Sequence, residues 1–585
     1  MKKPLGLLLL AATVIGGAFW LLPRKSPQLV LLISLDTMGA NHMSVYGYER
    51  QTTPELERFV QEDAIAFDCA MANSMWTLPS TMSLMTGLYV ENHGLDARTE
   101  KTSQLSADVF TVAQHFLANG YRTAGWSDGG FTQGSYGFDR GFEQFQSPAH
   151  APVGFEGHSQ EVMDWITENR EFDSFVFFQT YDAHAPFDTP LEFRTKFDEA
   201  PDAWESPKRS LLASSLSNKM SNYGFEQYAD ISDVVDDYDG GISYVDHELA
   251  KLFDHIKSLD LWDECVILVT SDHGESFLSE SIYVGHGLFR GQAEIRVPML
   301  LKLPHSDRAG LREKRAVQGV DAMPTLLSAA GLDVPPDLDG MPLDRLAGRE
   351  HWPREYTFGF SDSFGFNYLA KGDTLYTTEA STPWGAFQLG WNPRALRRKR
   401  NLWLYGDPFD LGRTEYFQPS MQDAFTGQFI PMDPTLQAEF EAAAEDFRDI
   451  VSEKRRPPAS REGDSEAHLA SLAALGYVTG DETSTEATMP KYFEATVAAG
   501  DVDWALFFDI DERLWHLRRM GFGQVPMWHR EQLDQEARSL AESLETITRD
   551  HPHQSQHVEW RVELLERAHA YLVTTGEQAE GQAGH

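Results

Sequence analysis

The sequence predicts an α/β fold: a large, mainly parallel sheet flanked by helices, then a smaller α+β C-terminal subdomain and a helical tail. Three observations carry this. Short apolar, β-branched runs such as QLVLLISL, SFVFFQT and ECVILVT recur between helical stretches. These runs do not alternate polar with apolar residues, as befits strands covered on both faces. Polar groups follow them directly, with Asp36, Asp182, His184, Asp272 and His273 all just past strand ends, where open α/β sheets gather their ligands.

The elements follow in order. Residues 28–35 form the first strand and stop at Asp36. Helices are predicted at 54–62, from Thr77 onward, and at 107–119, and a strand at 121–126. Further strands fit 174–180, 264–270 and 297–303, with helices at 244–257 and 321–330. This is the βα alternation of a parallel sheet. The polar segment 188–230 reads as an insertion, either covering a pocket or forming a surface excursion. Past residue 339 the alternation weakens into aromatic strand-like pieces such as YTFGFSDSFGFNYLA. The expected units are 1–27, a leader or anchor; 28–338, the catalytic domain; 339–430, the smaller subdomain; and 431–585, a helical region. Within the last, 435–453 and 501–570 have helical spacing around a linker, SEKRRPPASREGD.

The chain opens with Lys2 and Lys3, and an uncharged apolar run fills 5–22 before Pro23, Arg24 and Lys25. A run of about 18 apolar residues lies between a signal-peptide core and a short spanning helix. Because the run continues through Phe19, Trp20, Leu21 and Leu22 beyond Gly16 and Ala18, an uncleaved membrane anchor is favoured. Either reading puts the body outside the cytoplasm, in the periplasm or an equivalent space. The balance of 49 Lys and Arg against 89 Asp and Glu gives a formal charge of −40, which repels phosphate backbones. Nucleic acid is therefore not an expected partner. Cys69 and Cys265 lie in apolar stretches and read as buried free thiols.

Four positions carry chemistry: Asp36, Thr77 in SMWTLPSTMSLMTG, and the adjacent Asp272 and His273 in VTSDHGES. Carboxylates, an imidazole and a hydroxyl suit a divalent ion. Taken singly, each is also an ordinary helix cap or strand-end turn. Thr77 precedes Leu78, Pro79 and Ser80 at the start of a helix, whose first amides welcome an anion.

The blocks LISLDTMGANHMSVYGY, WTLPSTMSLMTGL, TYDAHAPF, YDGGISYVDHELAKLF and SDHGESF, followed by GHGLFRGQAEIRVPML, occur in this order between residues 28 and 332. Together they resemble the sulfatase branch of the alkaline phosphatase superfamily. Weaker echoes are VDAMPTLLSAAGL, LDGMPL and LAALGYVTGDE. The resemblance implies a divalent metal held by Asp36, Asp272, His273 and Thr77, with Thr77 also the nucleophile. It implies that His184 contacts the transferred group and that His286 binds the ester or protonates the leaving group. Asp182 is a weaker candidate, for a second ion, and Asp128 reads as a turn residue more than a pocket residue.

The departures shape the expected chemistry. Sulfatases carry Cys-x-Pro-Ser-Arg or Ser-x-Pro-Ser-Arg, whose first residue becomes formylglycine; this chain has Thr77 there and Thr81 in place of the arginine. Threonine is not converted to formylglycine, so the expected enzyme cleaves a phosphate mono- or diester through the threonine itself. Asp36 is followed by Thr37, where many sulfatases have a second acidic ligand. That shifts the expected metal toward zinc or manganese rather than calcium or magnesium. The alternatives are a sulfuric ester hydrolase without formylglycine, a phosphoethanolamine- or phosphoglycerol-type transferase, and a catalytically dead binding protein. The basic run at 394–400 reads as a solvated helix face, and His551, His553 and His557 as surface.

Overall fold

The computed structural model describes residues 26–95, 103–148, 152–187, 189–198, 231–277, 284–286, 292–361, 366–371, 374–377, 420–423, 429–430, 433–454 and 459–460. The N-terminal apolar run, residues 199–230 of the expected insertion, the basic run, the stretch 501–570 expected to be helical, and His551, His553 and His557 within it lie outside them. Among the described residues, no helix is long and apolar enough to cross a membrane.

In chain order the main elements are β1 (Leu29–Leu35), α1 (Pro54–Glu62), β2 (Ala64–Phe67), α2 (Thr77–Thr86), α3 (Val112–Ala118), β3 (Arg122–Trp126) and β4 (Gln144–Gln146). They continue with α4 (Gly154–Asn169), β5 (Ser174–Thr180), α5 (Ile231–Ser258), β6 (Val266–Thr270), β7 (Met299–Lys302), β8 (Arg312–Glu313) and α6 (Ala322–Ala329). The eight strands form one sheet in the order β8-β2-β7-β6-β1-β5-β3-β4. All pairings are parallel except those of β7, which runs antiparallel to β6 and β2.

β1 and β5 are buried along their whole length. Successive side chains point to opposite faces, so Val30 and Leu32 enter one core while Leu29, Leu31, Ile33 and Leu35 enter the other. The first core takes residues of α2, α3 and α6; the second takes residues of α1, α4 and α5. Unbroken apolar runs are what such a two-sided environment requires.

Three elements differ from the expectation. The 297–303 strand is split: Arg296–Val297 pairs with Ala70–Met71 in a small separate sheet, and only Met299–Lys302 joins the main one. Pro298 lies between them, has no N–H to donate to a ladder, and accepts the Thr270 hydroxyl on its carbonyl at 2.8 Å. The 107–119 helix begins only at Val112, because Thr111 caps it reciprocally with Gln114. Helix α5 begins at Ile231 rather than near residue 244. Gly240 and Gly241 do not break it; they let other backbone come close. A Cβ at Gly240 would lie 2.4 Å from Phe193 O, and one at Gly241 would lie 3.0 Å from Asp182 O.

Beyond the main sheet, β9 (Thr357–Ser361), β10 (Phe366–Lys371), β11 (Thr374–Thr377), β12 (Ser420–Asp423) and β13 (Phe429–Ile430) form an antiparallel sheet in chain order. Helix α7 (Pro434–Lys454) covers it through Phe440 on Leu369 and a stacked pair, Phe358 and Phe447, with centroids 4.0 Å apart. The antiparallel sheet meets the stretch between Ala70–Met71 and α2 where the Tyr368 hydroxyl donates to Ala72 O.

Gly240→Ala is expected to lower the denaturant midpoint. On an open helix face the same change would stabilise by about 1 kcal/mol through helix propensity, so a rise would show that α5 does not need the close approach.

Candidate functional site

The site is built where adjacent parallel strands end. In the β1–β6 register Ser34 pairs with Thr270, so Asp36 and Asp272, each two residues further on, emerge level with one another. Asp36 continues the ladder by donating its N–H to Thr180 O (3.0 Å). Its side chain is buried, and Oδ1 accepts no hydrogen bond among the described residues. Oδ2 lies 3.5 Å from Gln179 Nε2. The Gln179 amide is oriented by its other end, since Oε1 accepts from Asp128 N (3.0 Å) and from the Thr132 hydroxyl (3.2 Å).

Asp272 is held from several directions. Oδ1 accepts from His273 N (2.8 Å) and Thr37 N (3.3 Å). The Thr81 hydroxyl is 3.4 Å from Oδ2, and Ser80 Oγ donates to the Asp272 carbonyl at 2.5 Å. Both hydroxyls come from the first turns of α2. Thr77 is the first residue of that helix, follows an extended Trp76, and is fully buried. No side chain caps α2, so its amino end presents backbone N–H groups and positive potential where Thr77 lies. Thr77 Oγ1 stands 3.4 Å from His273 Nε2.

Three imidazoles share one arrangement. Nδ1 of His273 faces Gly274 O (2.9 Å), Nδ1 of His184 faces Ala185 O (2.6 Å), and Nδ1 of His286 faces Glu275 Oε2 (2.9 Å). An acceptor at Nδ1 assigns the proton there and makes Nε2 the nitrogen for chemistry. His286 lies between the other two, with ring centroids 4.4 Å from His273 and 5.1 Å from His184. Local pairing explains the Glu275 contact: Ser276 pairs antiparallel with Gly285, so Glu275 and His286 are the next opposed pair.

Asp36, Asp272 and His273 each offer a ligand atom within 4.8 Å of the others. Burial, then the neighbouring Asp272 carboxylate, push the Asp36 carboxyl well above its ordinary value, while the Thr77 hydroxyl acts the other way. Two buried carboxylates with an unpartnered oxygen are what a divalent ion would satisfy, so these residues fit one. The donor set is two carboxylates and an imidazole, with the Thr77 hydroxyl beside it.

The six residues singled out from the sequence are all buried: Asp36, His184, Asp272 and His273 follow the central strands, Thr77 opens α2, and His286 comes in from the short hairpin that pairs Ser276 with Gly285. Asp182 and Asp128 are not in the cluster. Asp182 Oδ2 accepts from Phe155 N (2.7 Å) and from the Thr180 hydroxyl, at the amino end of α4. Asp128 is a buried tie: Oδ1 accepts from Val153 N (3.1 Å) and Gly154 N (3.0 Å), and Oδ2 from Tyr181 N (2.8 Å). Thr37 is no ligand either, for its hydroxyl lies 2.7 Å from Asp36 O and 2.8 Å from Ala183 O. Sequence reasoning missed Glu275 and Gln179. Both left a signal: Glu275 is two residues past His273, and Gln179 is a polar residue inside an otherwise apolar buried strand.

The sulfatase family model matches residues 28–332, more than half of the chain and the whole of the main sheet. The chain belongs to the sulfatase family. This is a family of ester hydrolases within the alkaline phosphatase superfamily. Among curated relatives, the ulvan-active sulfatase of Formosa agariphila is 22% identical over 353 residues, covering 55% of this chain and 65% of the relative. The multifunctional alkaline phosphatase superfamily protein PehA of Trinickia caryophylli is 31% identical over 133 residues, 22% of this chain and 26% of the relative. The sulfatase-family chain thus spans less than two thirds of the length of these two relatives. Among solved structures, the phosphonate monoester hydrolase of Agrobacterium radiobacter aligns with a TM-score of 0.53 at 18% identity, covering 75% of this chain and 100% of that one. That likeness establishes the shared fold.

Burial and then the nearby Asp128 carboxylate push Asp182 up to about 7. The native state therefore keeps a proton that the unfolded chain gives up near pH 4, so this group's contribution is greatest at low pH and is lost as pH rises to about 7. Asp182→Asn should match the wild type near pH 4, gain on it between about pH 4 and 7, and hold a constant lead above. Denaturant midpoints across that range check this, and a gap independent of pH would refute it.

Proposed function

We propose that this sulfatase-family protein is an exported, metal-dependent hydrolase that cleaves a phosphate mono- or diester with Thr77 as nucleophile. The observation that carries the reading is Thr77 itself. It stands at the amino end of α2 beside the Asp36, Asp272 and His273 cluster, where sulfatases place the formylglycine precursor. The arginine that accompanies that precursor is replaced by Thr81, whose hydroxyl approaches Asp272.

In this reading Asp36, Asp272, His273 and Thr77 hold one divalent ion, zinc or manganese by donor type. When bound, the ion lowers the energy of the Thr77 alkoxide and of charge developing on the ester oxygens. Thr77 Oγ, its proton released to solvent, forms a bond to phosphorus as the bond to the leaving oxygen breaks, giving a phosphothreonine and, once that oxygen is protonated, a free alcohol. The amides at the start of α2 receive the anionic group. His184 contacts the transferred group, and His286, oriented by Glu275 on Nδ1, gives a proton from Nε2 to the leaving oxygen. Water then attacks phosphorus, breaks the bond to Thr77 and restores the hydroxyl. A second alcohol in place of water would make the protein a transferase.

Export and tethering belong to the same proposal. They rest on the paired lysines and the apolar run at 5–22, and they put the active body outside the cytoplasm.

Thr77→Ala should reduce turnover on the order of 10³-fold or more while keeping bound metal, read by elemental analysis of the same sample. Matched aryl phosphate, phosphodiester, phosphonate and sulfate esters should rank with the phosphoryl substrates ahead. A sulfate preference, or full activity in Thr77→Ala, would overturn the threonine mechanism.

A further inference from the structure

Thr37 is a β-branched residue in the left-handed region, with φ at 59°. Such a conformation is disfavoured by sterics and persists only where the surroundings impose it. Every polar group of Thr37 is engaged. Its N–H donates to Asp272 Oδ1 (3.3 Å), its hydroxyl sits between Asp36 O (2.7 Å) and Ala183 O (2.8 Å), and its carbonyl accepts from the Tyr238 hydroxyl (2.7 Å).

Tyr238 closes the other side of the same turn. Its hydroxyl also accepts from Gly39 N at 2.9 Å, so one phenol oxygen bridges both ends of the turn that follows Asp36. The ring comes from the middle of α5, is fully buried, and is wedged by Phe277 (centroids 4.7 Å), His42 (5.1 Å) and Phe187 (5.9 Å). His42 is fixed in turn by Asp239 at 2.8 Å. A hydroxyl carried on a wedged ring from a long helix is a rigid anchor.

We propose that Tyr238 and Thr37 are positioning residues that clamp the turn after Asp36 and so hold the Asp36 and Asp272 carboxylates at ligand spacing for a divalent ion. The inference rests on the reading that Asp36, Asp272 and His273 bind that ion. Two buried carboxylates this close need a proton or a cation between them. A flexible turn would let Asp36 swing away, and ion binding would then have to bear the ordering of the turn. The clamp does that ordering during folding, and supports of this kind typically alter metal affinity 10- to 100-fold. Through Ala183 O the clamp also ties the His184 loop to the same turn.

The test uses the full chain, stripped of metal with a chelator, with zinc and manganese dissociation constants measured by competition with an indicator at fixed pH. Melting of the metal-free protein is followed in parallel. Tyr238→Phe should weaken binding roughly 10-fold. Thr37→Gly lets the turn adopt its left-handed shape without steric cost. In that background the further effect of Tyr238→Phe should shrink to less than about 3-fold, a non-additivity that loss of stability alone would not produce. Thr37→Ser, which keeps the hydroxyl, should bind like the wild type, and Thr37→Val should bind more weakly; this pair decides the matter if Tyr238→Phe does not fold. Unchanged affinity in both Tyr238→Phe and Thr37→Val, or an undiminished Tyr238→Phe penalty in the Thr37→Gly background, would overturn the clamp. Asp272→Asn separates the two readings. If it leaves metal content intact, the metal centre and the clamp both fall; if it abolishes binding that Tyr238→Phe leaves untouched, only the clamp falls.

Discussion

Asp36 and Asp272 bring two carboxylates into one buried place, and much of the surrounding architecture answers that juxtaposition. Burial alone raises the free energy of each charge, and proximity raises it again. Parallel pairing of β1 with β6 makes the approach unavoidable, because the register sets the two residues level. The neighbouring groups then limit the penalty. Backbone N–H groups and the Thr81 hydroxyl surround Asp272, the Gln179 amide approaches Asp36, and the amino end of α2 supplies positive potential. What these leave unsatisfied is one oxygen of Asp36, which gives the cluster its demand for a cation.

The imidazoles follow a second rule. His184, His273 and His286 each have Nδ1 tied to a carbonyl or carboxylate oxygen, so their tautomers are set by the fold and do not depend on a substrate. A backbone carbonyl and a carboxylate are not equivalent partners, however. The Glu275 carboxylate is the stronger acceptor, so it holds the His286 ring in its orientation more firmly than the carbonyls hold His184 and His273.

Much of this was legible in the amino-acid sequence, for reasons that can be stated residue by residue. Strands β1 and β5 are apolar through most of their length because both faces are covered, and the polar residues after β1, β5 and β6 mark the ligand-gathering edge. The length of α5 was not legible, since Gly240 and Gly241 break helices on average and are tolerated here only because other backbone packs onto them. The reversed direction of β7 was hidden because an apolar run carries no sense of direction. Long-range contacts were hidden as well. Nothing local tells that Tyr238 reaches a turn some two hundred positions earlier, or that Asp182 serves α4 rather than the cluster. The positive φ at Thr37 was invisible for a sharper reason: a β-branched residue argues against that conformation, so only its surroundings reveal it.

The bond from Tyr368 to Ala72 O joins the smaller sheet to the stretch that leads into Thr77. Ala72 is gripped from the opposite side too, where its N–H donates to Ile295 O at 2.8 Å. The stretch entering α2 is therefore a strut shared by two layers rather than a loop owned by one. A strut of this kind makes the two parts of the protein mechanically inseparable: a graft that exchanged the smaller sheet for another would unseat the backbone five residues ahead of the threonine. In lineages that reshape this C-terminal sheet, the change has to be matched along residues 72–77, and the two segments are expected to vary as a pair.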